Sequence, residues 1–173
     1  MSAFAQRRKE DLQRLRQLAA SHPARITIAN VSGDPPNEIE VVLTFKTAPS
    51  QQYPRVVQER THVVVSLPAR YPFVAPTVII RTPILHPNVY VGGTVCLGTT
   101  WLPASGLDLL VKRLIQIITF DVTVLNEQSP ANRDALAWYQ STRAQNPQVF
   151  PTDSGLAATV EQGKTMTWSN VTR

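Results

Sequence analysis

One cysteine, Cys96, stands in the run Gly92-Gly93-Thr94-Val95-Cys96-Leu97-Gly98. Glycines on both sides free the backbone for tight conformations and leave the sulfur accessible. A lone cysteine is more often a small buried hydrophobe than a reactive group. This one lies in a long stretch without periodicity, and a nucleophile needs a partly exposed loop site. His86-Pro87-Asn88 lies ten to eight residues before it. A cysteine hydrolase needs an imidazole within hydrogen-bond reach of the sulfur and a third group that orients it. Sequence proximity within one proline-constrained loop supplies no such geometry, and no orienting acid is indicated. Pro87 makes a turn the more natural reading, with His86 and Asn88 bonding side chain to backbone. The Asn88 amide could also donate to an oxyanion. Gly-x-Ser-x-Gly, a Walker phosphate loop and a dinucleotide fingerprint are all absent from the sequence.

The 173 residues suit one domain with a tail, or one enlarged domain, and 43% hydrophobic content is ample for a core. A single cysteine allows no internal disulfide, and with His22, His62 and His86 scattered it cannot complete a four-ligand zinc site. No metal and no cofactor are expected. The apolar stretches fall short of the roughly 20 residues of a membrane span, and Met1 to Gln17 has no hydrophobic signal core, so a soluble cytoplasmic protein without membrane partners is expected. A net charge of +5 allows nucleic acid or an acidic protein as partner. No basic run interleaves with stacking aromatics, and the densest cluster is Arg7, Arg8, Lys9, Arg14 and Arg16, which favours the acidic protein over nucleic acid.

Several elements must position Cys96. Residues 2–20 lack Pro and Gly and place Leu12, Leu15, Leu18 and Ala19 on one side of a basic amphipathic helix. The period then changes to two: Ile26 and Ile28; Ile39, Val41, Leu43 and Phe45; Val63, Val65 and Leu67. These are three half-buried strands of an antiparallel meander, and a fourth, Thr77 to Arg81, follows the proline-rich Tyr71-Pro72-Phe73-Val74-Ala75-Pro76. Residues 82–104 have no period, and so long an irregular stretch in a domain points to function. Ser105-Gly106-Leu107-Asp108 suggests a capping box opening a buried helix with Leu107, Leu110, Val111, Leu114, Ile115 and Ile118. A further helix is expected over Ala131 to Ala144. Residues 146–173 read as an irregular tail with one short docked turn using Trp168, leaving 1–145 as the domain. The order gives an α+β fold with helices on one face of an antiparallel sheet.

Tyr71-Pro72-Phe73-x-x-Pro76, then His86-Pro87-Asn88, then Cys96-Leu97 and Trp101-x-Pro103-Ala104 before a buried helix, together resemble the ubiquitin-conjugating enzymes. The likeness runs from about residue 2 to 145. It implies the fold of that family: an N-terminal helix, a four-stranded antiparallel meander, a buried central helix and a C-terminal helix. It also implies a thioester carrier. Cys96 accepts the C-terminal glycine of a ubiquitin-like protein from an activating enzyme and passes it to an amine, usually a lysine of a target protein. His86 is then structural, and Asn88 stabilises the oxyanion of lysine attack or holds the loop that does so. In the family a ligase docks on residues that map to Phe73, Pro103 and Ala104, and the activating enzyme docks on the basic first helix, here Arg7, Arg8 and Arg14.

Three departures mark a divergent member, and divergent members encoded in bacteria are known in the wider family. The Cys96 to Trp101 stretch is about three residues shorter than in common members. An acidic residue expected near the start of the last helix is replaced by Asn126-Glu127-Gln128-Ser129-Pro130, with Ser129 at the matching position and Glu127 the nearest carboxylate. Phe120 to Leu125 is longer and more apolar than the usual connection. The competing readings are a catalytically silent module of the same fold that binds a ubiquitin-like protein or scaffolds a complex, and a hydrolase using Cys96 and His86.

Overall fold

The first apolar stripe forms the helix its spacing dictates. In the computed structural model, which describes residues 2–156, α1 spans Ala3–Ser21 and the Ser2 hydroxyl caps it by accepting the Ala5 N–H. Leu12, Leu15 and Leu18 are buried on one side of it. Then come β1 (Ile26–Ser32), β2 (Glu38–Leu43), β3 (Thr61–Ser66) and β4 (Thr77–Ile80), paired antiparallel in sequence order. A bulge between Ile28 and Asn30 shifts the β1–β2 register. The alternation read from the sequence places Ile39, Val41, Leu43, Val63, Val65, Val78 and Ile80 in one core with the α1 leucines. Helix α2 (Leu107–Ile118) completes that core with Leu107, Leu110, Val111, Leu114, Ile115, Ile117 and Ile118. Helix α3 (Arg133–Gln145) is capped by the Asn132 side chain on Ala135 N–H. The α+β meander of the ubiquitin-conjugating fold is therefore observed.

The start of α2 differs from expectation. Ser105 does not form a capping box: the N-cap is Gly106, with no side-chain cap. The Ser105 carbonyl accepts from Arg7 of α1 at 2.8 Å, which ties the start of α2 to α1 instead. At the other end Phe120 has φ +60 and donates to the Ile117 carbonyl, while Asp121 N–H reaches Gln116. This is a Schellman ending with phenylalanine where glycine is usual, a left-handed placement that costs roughly 1–2 kcal/mol. Burial offsets it. Phe120 is fully buried in a second cluster with Ala48, Tyr53, Tyr139 and Phe150.

That cluster moves the domain boundary. The expected tail from residue 146 opens with a 3-10 turn (Pro147–Val149), and Phe150 packs 4.8 Å from both Phe120 and Tyr139. Thr152 bonds Thr119 and Lys46, and Asp153 pairs with Arg25 at 2.5 Å. Residues 146–156 thus belong to the folded body and the limit at 145 is too early. The turn expected at Trp168 lies outside the described residues. None of the helices among the described residues is long and apolar enough to cross a membrane.

Candidate functional site

The stretch without periodicity is irregular in shape but tightly bonded. Val89 pairs with Val95, and Thr94 with Ile79, so residues 89–95 fold back as a small hairpin along β4. The Gly93 carbonyl (φ +88) accepts the Ile80 N–H, and a Cβ at Gly93 would strike the Ile80 carbonyl. The hairpin delivers Cys96 next to Asn88, whose carbonyl accepts the Cys96 N–H at 2.7 Å. Cys96 is a free thiol and half-buried.

His86 is fully buried, and its Nδ1 accepts the Asn88 N–H at 2.9 Å, which leaves the proton on Nε2. Its ring lies 4.3 Å from that of Phe120. Burial pushes its pKa down to about 3, opposed by the Ile117 carbonyl. The imidazole is closed off from solvent and used as a turn acceptor. Asn88 is also fully buried. Its amide donates to Val124 at 2.9 Å and accepts from Asn126 N–H at 3.0 Å, clamping the 121–126 loop against the cysteine segment. The Pro87 carbonyl takes the N–H groups of Ala131 and Asn132, so the same turn also fixes the start of α3.

Ser129 lies on the exposed stretch before α3, with its N–H bonded to Asn126. Glu127 does not supply a free carboxylate: it accepts from Gln140 at 3.1 Å and sits 4.0 Å from Arg143, both on α3. The carboxylate of the 121–126 loop is Asp121, which sequence reasoning missed. The Thr123 hydroxyl chiefly, with Gln116 and Arg113 contributing, holds it below the usual carboxylate range. Arg113 was missed as well: it reaches from α2 to the Leu97 carbonyl at 3.1 Å. A charged residue inside an apolar helix was its only signal.

Phe73 is 65% exposed. Pro72 is joined to Trp101 by an indole N–H to carbonyl bond of 2.7 Å, which brings Phe73 beside exposed Leu102, Pro103 and Ala104. Phe4 of α1 meets the Phe73 ring at 6.0 Å. These residues form an apolar surface whose basic edge differs from expectation. Arg8 is only 8% exposed and donates to the Pro36 and Pro68 carbonyls, so it is a strut between α1 and the loops and is withdrawn from any docking surface. Arg7 is half-buried against Asp11, while Arg14 is exposed 3.6 Å from the same carboxylate. Asp11, fully buried, also accepts from the Tyr71 hydroxyl, and burial together with this carboxylate pushes that hydroxyl's pKa up. The network was legible only as Arg7 and Arg14 at i−4 and i+3 from Asp11.

Comparison with known proteins agrees with this geometry. Residues 9–150 match the family model for ubiquitin-conjugating enzyme, and the chain belongs to that family. It is similar to Ubiquitin-conjugating enzyme E2 15 of Schizosaccharomyces pombe, 30% identical over 105 residues, covering 51% of this chain and 58% of that protein. It is also similar to the NEDD8-conjugating enzyme Ubc12 of Arabidopsis thaliana, 32% identical over 92 residues, covering 51% and 46%. Among solved structures, S. cerevisiae Ubc12 matches with a TM-score of 0.60 and 25% identity, over 81% of this chain and 72% of that one. The matched part spans about half the length of these curated relatives.

Proposed function

We propose that the protein carries a ubiquitin-like protein as a thioester on Cys96 and transfers it to the amine of a target lysine. The observation that carries this reading is the sequence's one cysteine, free, half-buried and held by its N–H to the Asn88 carbonyl. A thioester arriving from an activating enzyme is already activated, so exchange needs only the sulfur: Cys96 Sγ bonds the acyl carbon and the activating enzyme's sulfur leaves. In discharge the lysine nitrogen attacks that carbon, the Cys96 sulfur leaves, and an amide remains. Asn88 serves this step by holding the 121–126 loop, with one amide hydrogen left for the oxyanion.

The proposal extends to partners and place. Phe73, Pro103 and Ala104 form the surface for a ligase, and Arg14 with the outer part of Arg7 forms the basic surface for an acidic activating enzyme. Ser129 stands where the lysine approaches. The reaction is taken to be cytoplasmic. The silent binding module is favoured by one observation, the engagement of Glu127 with α3 in place of a free carboxylate near the lysine path. Transfer separates the readings. Wild-type protein charged with modifier should pass it intact to free lysine, and Cys96→Ser should hold it as a slower-reacting ester or fail to load. Release of free modifier by hydrolysis alone would sink the transferase reading in favour of a hydrolase.

A further inference from the structure

We infer that Arg113 is a positioning residue for the nucleophile, latching the chain immediately after Cys96 onto α2. The backbone on the N-terminal side of Cys96 is held by the Asn88 carbonyl at 2.7 Å. On the C-terminal side the anchor is Arg113 Nε on the Leu97 carbonyl at 3.1 Å. The chain then turns at Gly98 with φ +65, and a side chain there would meet Arg113 Nη2 and Asn88 Nδ2, both at 3.7 Å, and the Val124 carbonyl at 3.8 Å. Arg113 and Asn88 therefore converge on one glycine. The guanidinium joins helix α2 to the Leu97–Gly98 turn, and the Val124 carbonyl of the 121–126 loop lies beside the same glycine.

The physical need is specific. A half-buried carbonyl requires a donor, and Arg113 supplies one through the nitrogen nearest its stem while its planar fork stays beside Gly98. A reacting sulfur displaced by about 1 Å can lose about a hundredfold in rate, so a latch one residue away acts on transfer without touching the modifier. The transfer part of this inference rests on the carrier reading above; the latch itself does not.

The test is a set of three substitutions chosen by reach. The amide nitrogen in Arg113→Gln stands the same number of bonds from Cα as Nε, Arg113→Met fills the space without a donor, and Arg113→Lys keeps the charge on a longer stem. Each is measured by the rate of Cys96 alkylation with iodoacetamide, which needs no modifier, and by discharge of a preformed thioester to free lysine. With Arg113→Met, alkylation should rise about threefold while discharge falls about tenfold at unchanged half-saturating lysine. Arg113→Gln should restore both rates and Arg113→Lys neither. Alkylation in Arg113→Met equal to wild type, or recovery by Lys but not Gln, would overturn the latch. Absence of any thioester in wild type defeats the carrier reading alone, and the alkylation rates still decide the latch.

Discussion

The two arms that meet at Cys96 are built in opposite ways. On the upstream arm, His86 and Asn88 are completely buried, and the Asn88 backbone N–H, backbone carbonyl, amide oxygen and amide nitrogen all have partners. An aromatic cluster centred on Phe120 lies beneath it. On the downstream arm, Leu97 and Trp101 are half-buried, residues 98–100 are exposed, and the chain is fixed by the Arg113 latch and the Trp101 indole on Pro72. The rigid arm sets where Cys96 stands. The sparse arm is open to solvent, with Phe73, Leu102, Pro103 and Ala104 exposed.

Breaking the rigid arm should have the largest effect. Asn88→Ala leaves the Val124 carbonyl and the Asn126 N–H without partners in a buried site, which should lower unfolding free energy by about 2–4 kcal/mol in urea denaturation. Loading of Cys96 should survive while discharge to lysine slows by about a hundredfold or more. Equal loss of both steps would remove the oxyanion role and leave Asn88 structural.

A change of pH probes the same arm. The folded pKa of His86, about 3, lies below its unfolded value of 6.5, so the folded protein binds fewer protons between them. Its contribution to stability is complete above the unfolded value and is lost as pH falls, by about 1.4 kcal/mol per unit once well below that value. Unfolding free energies between pH 7 and 5 should therefore drop in wild type and flatten in His86→Asn. Parallel curves would contradict the buried neutral imidazole.

Changes on the sparse arm should be milder. Trp101→Phe removes one hydrogen bond to Pro72 and should lower stability by about 1 kcal/mol, read by the same denaturation curves. Phe73→Ala should change stability by less than about 0.5 kcal/mol because the ring is mostly solvated. The same variant should lose any acceleration of transfer by a ligase. A large destabilisation in Phe73→Ala would show that the surface is packing after all.

Much of this contrast was written in local pattern. Period-two runs gave the strands, the leucine spacing gave α1, and the apolar run gave α2 within a residue or two, because each buries one face. His86, Asn88 and Cys96 stood out by type and order, and the structure brings them together. What was hidden depends on partners distant in sequence. Phe150 gives no periodic signal, yet it completes a cluster with Tyr53 and Phe120. Arg8 reads from the sequence as part of the basic docking helix, but its carbonyl partners Pro36 and Pro68 lie on loops that no helix pattern reveals. Ser105 looked like a cap until Arg7 claimed its carbonyl. Arg113 faces a turn set by the left-handed Gly98, and the spacing along α2 carries no trace of it.

The most direct measurement is a non-reducing gel of the protein mixed with a panel of ubiquitin-like proteins and their activating enzymes, beside a thiol-treated lane and a Cys96→Ala control. A thiol-sensitive band in wild type that is absent in Cys96→Ala is the predicted result. A folded wild-type protein that forms no band with any member of the panel, or a band that persists in Cys96→Ala, would contradict the thioester on Cys96.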